Sequence, residues 1–380
     1  MTPTDIAAAV SPSATPLAAL VAHSPLARDL AAYRGVFTPH ELDVPAREIE
    51  ALVSGRAVHD LGWMRRVAVR GEDRFRWLSG MVTNTVSDLA PNTGAWNLVL
   101  NAQGRIQGDV WVWRDGDALE LEIAADQYDK LLAHLNHFII MDDVELVALE
   151  EETALGLTGP HSGEILTRLG LPALDEPLMQ ARADWTGFNL VIRRSYGVLA
   201  PHYELWAPHA ALKQLWEAFL EAGATPVGVA ALEMLRIAEG IPAYGIDIVE
   251  RDLPQETAQS RALHFNKGCY LGQEIVERIR SRGNVHRHLR PLELTGPLPP
   301  AGTELFIEPA SGASAAAAAD SKAAGHITSA AELPLPSGKR VFALGMIRAE
   351  AESSNSTFTY AAGSAAGTAR ISAAPSALNP

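Results

Sequence analysis

The chain has 380 residues, 47% apolar and 20% charged, the balance of a soluble globular protein with room for two or three domains. Its formal charge of −14 argues against broad attraction to nucleic acid or to an anionic membrane surface. A single cysteine, Cys269, excludes an intramolecular disulfide, and no apolar run of about 18 residues predicts a membrane span. The Ala-rich N-terminus lacks a basic start followed by a compact apolar block, so it does not read as a signal peptide, and the cytoplasm is the expected compartment.

Residues 1–54 mix Ala, Pro and scattered charge, and read as a loose, partly disordered extension with one helix near Pro25–Arg34. Residues 55–150 change in texture and form the first half of an expected α+β unit. Arg66–Arg70 alternates as a strand does, Glu72–Leu78 starts a helix, and Ala95–Leu100, Asp109–Trp113 and Ala118–Ile123 are strands between Gly-containing turns. Ala125–Phe138 reads as an amphipathic helix with Leu131 and Leu135 on its apolar face. Residues 151–284 repeat the mixture, with helices at Ser162–Leu169, His209–Glu221 and Val229–Gly240, the last stopped by Gly240-Ile-Pro242. Residues 285–350 carry short strands and Pro/Gly turns, the signature of a small all-β module. The insert at 310–324 is almost all Ala and Ser, and the tail at 351–380 is Ala, Ser, Thr and Pro. Both offer little apolar bulk against ordering entropy and are expected to be disordered. Strands and helices mix without regular βαβ alternation, so the fold class is α+β.

Lys267-Gly-Cys-Tyr-Leu-Gly-Gln-Glu274 is the most informative stretch. It sets a thiol two residues after a lysine, between Gly268 and Gly272, ahead of a helix that opens near Gln273. A cation and a helix N-terminus both favour thiolate, so Cys269 is a candidate reactive centre. The competing reading is a small, buried, inert cysteine.

This string resembles the signature of the YgfZ-type folate-binding proteins, Lys-Gly-Cys-Tyr-x-Gly-Gln-Glu, at every fixed position: Lys267, Gly268, Cys269, Tyr270, Gly272, Gln273 and Glu274. Leu235-Arg-Ile, Gly240-Ile-Pro242 and Leu253-Pro-Gln-Glu256 resemble the stretches before that motif. Gly325-His-Ile-Thr-Ser329 and Ala343-Leu-Gly345 are similar to two strands of the family's C-terminal barrel, and Val58-His-Asp-Leu61 and Gly80-Met-Val-Thr-Asn84 to its N-terminal blocks. The resemblance spans roughly residues 55–350 and extends to the related aminomethyltransferase of the glycine cleavage system.

The resemblance implies a cloverleaf of three domains around a central cavity holding tetrahydrofolate, with a small C-terminal β-barrel. Asp109, in Gly104-Arg-Ile-Gln-Gly-Asp109, falls on the aspartate beside the folate nitrogens. Arg236 falls on a folate-contacting arginine, and Met64 and Phe265 on apolar walls of the cavity. Tyr244 is a further cavity candidate, and Glu204 is a surviving glutamate of a pterin-contacting stretch. Departures touch the same region: Ala200 replaces the first glutamate of that stretch, Ala124 an asparagine, and Ala238 a helix glutamate whose neighbour, Glu239, lies about 100° away around the helix. The motif cysteine is absent from the transferase. Arg278, Arg280, Arg282, Arg287 and Arg290 with His286 and His288 read as a positive patch for a folate tail or a phosphate backbone, or as a solvated face.

The implied function is that of a tetrahydrofolate-binding accessory protein in iron–sulfur cluster assembly or repair. Folate, iron–sulfur client or assembly proteins and tRNA are the partners so implied. The alternatives are a folate-dependent aminomethyltransferase in which Asp109 assists, and an RNA-binding accessory protein that uses the Arg/His patch.

Overall fold

The computed structural model describes residues 13–22, 29–283, 285–308, 322–352 and 356–372. Helix Pro16–Val21 (α1) is capped by Thr15, whose Oγ1 accepts from Ala18 N at 3.1 Å. A hairpin of Leu30–Tyr33 (β1) and Val36–Pro39 (β2) follows, turning at Arg34 and Gly35, and then helix Pro45–Ser54 (α2). These residues are not the loose extension expected from composition. Leu17 and Val21 are buried against the second sheet's core, and Ile49 and Leu52 against a later helix and the barrel. The helix expected near Pro25–Arg34 is replaced by β1 where the chain is described, and residues 23–28 lie outside the described residues.

Ala57–Asp60 (β3) comes next, then Met64–Arg70 (β4), helix Arg74–Met81 (α3), Thr93–Leu100 (β5), Ile106–Asp115 (β6), Ala118–Ala124 (β7), helix Ala125–His137 (α4) and Glu145–Ala148 (β8). The order β5-β6-β7-β4-β8 makes an antiparallel sheet. Trp77 and Leu78 of α3 and Leu131 and Leu135 of α4 cover one of its faces with the valines and leucines of the strands. The second sheet takes Glu152–Thr158 (β9), Gln180–Trp185 (β10), Phe188–Ser195 (β11), His202–Pro208 (β12) and Thr225–Pro226 (β13), with helices Ser162–Arg168 (α5) and Leu212–Glu221 (α6). Its order, β10-β11-β12-β9-β3-β13, recruits β3 from before the first sheet, so the two sheets are threaded through each other.

Helix Val229–Ala238 (α7) and helix Gln273–Arg282 (α8) lead to a closed barrel. Its strands are Arg287–Thr295 (β14), Glu304–Ile307 (β15), Gly325–Leu335 (β16), Gly338–Arg348 (β17), Thr357–Ala362 (β18) and Ala365–Ile371 (β19), in the order β14-β17-β16-β15-β18-β19. The α+β class with a C-terminal barrel is therefore the observed one. The tail expected to be disordered supplies β18 and β19 within 356–372. Phe358, Tyr360 and Ala369 point into the barrel core, and β19 pairs with β14 to close it, so backbone pairing compensates for small side chains. Residues 309–321, which take in most of the Ala/Ser insert at 310–324, lie outside the described residues, as do 373–380.

Candidate functional site

The two sheets and α7 enclose a cavity of about 220 Å³. Cross-strand pairing sets its first wall. Trp96 on β5 and Trp111 on β6 are register partners, and their rings stack 30° apart with centroids 6.1 Å apart. Met64 and Ala124 are likewise partners on β4 and β7, and both line the cavity. Asp109 stands on β6 with its carboxylate held by two donors. Trp96 Nε1 donates to Oδ2 at 2.9 Å and Gln127 Nε2 donates to Oδ1 at 2.7 Å, while Asp109 N donates back to Gln127 Oε1 at 3.0 Å. The carboxylate is thus oriented before any ligand arrives, and each oxygen keeps acceptor capacity.

The second sheet supplies the opposite wall. Ser195 Oγ donates to Glu204 Oε1, and the buried Glu204 carboxyl meets that of Glu122, which comes from β7 of the first sheet. Burial, and then the neighbouring Glu122, push the Glu204 pKa well above the usual carboxylate range. Beside them runs a polar row. His59 Nε2 lies 2.9 Å from Thr158 Oγ1, Thr158 Oγ1 lies 3.2 Å from His202 Nδ1, and His202 Nε2 lies 3.1 Å from Glu239 Oε1. Two glycines make room for the rings: a Cβ at Gly156 would sit 1.8 Å from His59, and one at Gly197 would sit 2.0 Å from His202. Burial drives the His59 pKa down to about 3.

Of the residues singled out by sequence, Met64, Asp109, Glu204 and Arg236 line the cavity. Arg236 does not have the free fork expected of a ligand grip. Its Nε donates to Glu233 Oε2 at 2.9 Å, Nη2 to Glu233 Oε1, and Nη1 to Ile241 O and to Asp247 Oδ2 at 2.6 and 2.7 Å. Asp247 in turn accepts from the hydroxyls of Thr328 and Ser329 on β16. Arg236 therefore bolts α7 to the barrel. Tyr244 and Phe265 are not on the cavity wall. They pack with Ile248, Tyr270 and Val276 in a cluster behind Trp96, and Arg280 lies 5.0 Å over the Phe265 ring.

The cysteine motif is also outside the cavity. Gly272, at φ +81°, leaves no space for a side chain: a Cβ would lie 2.6 Å from Asn101 O and 3.0 Å from Gly104 Cα. The motif and the Gly104–Asp109 block are thus packed on each other. Helix α8 begins at Gln273, as expected, and Tyr270 is buried while Cys269 and Glu274 are exposed. Lys267 is turned away from the thiol. Its ammonium donates to Ser79 O at 2.8 Å and to Val82 O and Asn84 O at 2.6 Å, and burial draws its pKa down to about 8. With three acceptors occupying the ammonium, the role expected for Lys267 as thiolate promoter is replaced by that of a clamp.

The remaining departures change weight. Ala200 lines a separate depression with Pro177 and Arg194, so the loss of a glutamate there does not strip this cavity, whereas Ala124 does face it. Glu239 faces the cavity beside His202 despite its offset on the helix, and the backbone N–H groups of Val198 and Leu199 fix it at 3.0 and 2.8 Å. The positive patch is largely neutralised: Arg287 pairs with Asp252 and Glu256, Arg290 and His288 with Glu352, and Arg280 with Glu277. Sequence reasoning missed Trp96, Trp111, Glu122 and Gln127. Strand alternation around Asp109 carried a signal for the two tryptophans.

The pattern of the GCVT N-terminal domain matches residues 33–267. The chain belongs to this family. Relatives include an aminomethyltransferase of Rubrobacter xylanophilus, 29% identical over 280 residues that cover 72% of this chain and 74% of that one. A chloroplastic protein of Arabidopsis thaliana, whose name goes no further than a provisional transferase, is 27% identical over 316 residues, covering 82% of this chain and 69% of that one. The solved glycine cleavage system aminomethyltransferase T of Bartonella henselae has the same fold, with a TM-score of 0.83 over 96% of this chain and 98% of that one at 21% identity. Within the GCVT family fold, the β6 strand carrying Asp109 and the β12 strand carrying Glu204 thus face one cavity.

Proposed function

We propose that this chain binds a reduced folate in the central cavity and acts as an accessory factor, of the YgfZ type, in iron–sulfur cluster assembly or repair, with tRNA-modifying enzymes among its clients. The cavity's chemistry fits the ligand. Trp96 and Trp111 offer flat apolar surface to a pterin, and Asp109 offers acceptors to its ring N–H and amino groups. A reduced folate supplies the amine positions that carry a one-carbon unit. Asp109, already oriented, accepts a hydrogen bond from such an amine or holds charge that develops on it.

The observation that carries the accessory reading is that Cys269 does not line the cavity: the thiol is exposed, next to Tyr270, which is buried in the cluster that includes Trp96. A thiol so placed acts on a partner, not on the folate. Among the described residues no group of three or more His, Cys, Asp and Glu side chains is arranged to hold a metal ion, and clusters usually take four protein ligands. Cys269 is therefore a contact to a partner's cluster or thiol. Affinity capture with the wild-type chain and with Cys269→Ala tests this. Iron–sulfur enzymes retained by the first and lost by the second are the expected result; equal capture by both removes the thiol from the account.

The transferase reading is favoured by one observation, the preoriented Asp109 in a family whose relatives include aminomethyltransferases. It requires methylenetetrahydrofolate formation with glycine cleavage partners. We expect none above background, and measurable formation would promote that reading.

A further inference from the structure

Three arginines line the cavity, and two of them are spent. Arg34 Nη1 lies 3.3 Å from Asp126 and donates to Tyr244 O at 2.7 Å, and Arg236 is held by Glu233 and Asp247. Arg261 has no carboxylate within 4 Å among the described residues. Its guanidinium carbon lies 3.8 Å from the centroid of the Tyr196 ring and 4.7 Å from that of Trp96, so the group sits over two aromatic rings. Nε donates to Gln259 Oε1 at 3.2 Å, while Nη1 is buried without a partner. The backbone is pinned as well: Asn84 Nδ2 donates to Arg261 O at 2.8 Å and Thr83 Oγ1 to Ala262 O at 2.7 Å. Burial draws the Arg261 pKa down to about 10, which leaves it cationic at neutral pH.

A cation kept on a cavity wall without a carboxylate partner is matched when an anionic group of a ligand arrives. The other polar groups of the cavity fix the ligand's charge. Asp109, Glu122 and Glu239 also line it, so the cavity suits a ligand with an anionic end for Arg261 and N–H groups for these carboxylates. We propose that Arg261 is the carboxylate receptor of this cavity. Its guanidinium, on the cavity wall, meets an anionic oxygen of the ligand, while Asp109, at the N–H edge of the same Trp96, takes the ligand's amine side. The proposal deepens the folate reading, because a folate carries both groups: ring nitrogens and a glutamyl carboxylate.

Three probes separate the two ideas: tetrahydrofolate, 6-methyltetrahydropterin, which has the ring but no carboxylate, and p-aminobenzoylglutamate, which has carboxylates but no pterin. Each is titrated into the wild-type chain, Arg261→Ala and Arg261→Met. We expect both variants to weaken tetrahydrofolate and p-aminobenzoylglutamate about 10- to 100-fold, the worth of one charge-assisted hydrogen bond, and to leave the tetrahydropterin unchanged. Arg261→Met should still fold and melt near the parent temperature, since it retains apolar contact with the rings and gives up one side-chain bond, to Gln259. Equal losses for tetrahydropterin and tetrahydrofolate, unchanged binding of both carboxylate ligands, or no wild-type binding of p-aminobenzoylglutamate would each overturn the proposal. Wild-type binding of p-aminobenzoylglutamate alone, lost in the variants, would keep Arg261 as the receptor and remove the folate reading.

Discussion

Lys267 offers a quantitative test of how the cysteine motif is anchored. Its three ammonium donors are all engaged by main-chain carbonyls of the segment from Ser79 to Asn84, between α3 and β5. Replacing it by Met preserves chain length and removes all three contacts at once. A lost charge-assisted bond costs about 1.5–3 kcal/mol, but carbonyls at a half-buried site regain some water, so the summed loss should be about 3–5 kcal/mol. Urea unfolding should show this as a lower midpoint at unchanged slope. The difference between the parent and Lys267→Met also has a predicted pH dependence. The folded pKa of about 8 lies below the unfolded value of about 10.4, so between these values the unfolded chain binds more protons, and the lysine's net contribution grows as pH rises through that window. A loss below about 1 kcal/mol would refute the clamp, and a difference that shrinks from pH 8 to pH 10 would refute the lowered pKa of the buried ammonium.

Other expectations follow from the same geometry. His59 is buried and neutral with a pKa near 3 against about 6.5 when unfolded, so the parent should lose stability as pH falls from 6.5 toward 3; in His59→Asn the acid limb of the stability curve should be shallower, and an unchanged limb counts against the buried row. Truncation after Glu352 removes β18 and β19, and hydrogen exchange should then show the partners left behind, β14 and β15, losing protection; retained protection would mean that the barrel does not need its tail. Cys269 should react with iodoacetamide in the folded chain without prior unfolding, and Cys269→Ser should melt at the parent temperature; protection of the thiol until denaturation would contradict its exposure.

Much of the first sheet was legible because its signals are local. Alternation in Arg66–Arg70 and Ala118–Ile123, the Asp115-Gly116 turn and the helical spacing of Leu131 and Leu135 each specify an element without outside help. The N-terminal hairpin and the strands β18 and β19 were not legible, since small and polar residues there are ordered by pairing with distant strands. The same distinction governs the site. Asp109 and Glu204 were singled out because motif blocks carry them, and both line the cavity. Arg236 and Lys267 were singled out in the same way, but the partners of a polar head are set by tertiary contacts, with Asp247 for the one and with the carbonyls near Ser79 for the other. Glu233, three residues before Arg236 on one helix face, was the readable sign that its fork was already taken.

The central claim is that the cavity between the sheets is a reduced-folate site built around Asp109 and Glu204. Calorimetric titration of tetrahydrofolate into the parent chain, Asp109→Ala and Glu204→Gln tests it most directly. The account predicts one site per chain in the parent and affinity weakened about 10-fold or more in each variant, the worth of one hydrogen bond to a carboxyl group. No binding to the parent at saturating ligand, or equal affinity in all three proteins, would contradict it.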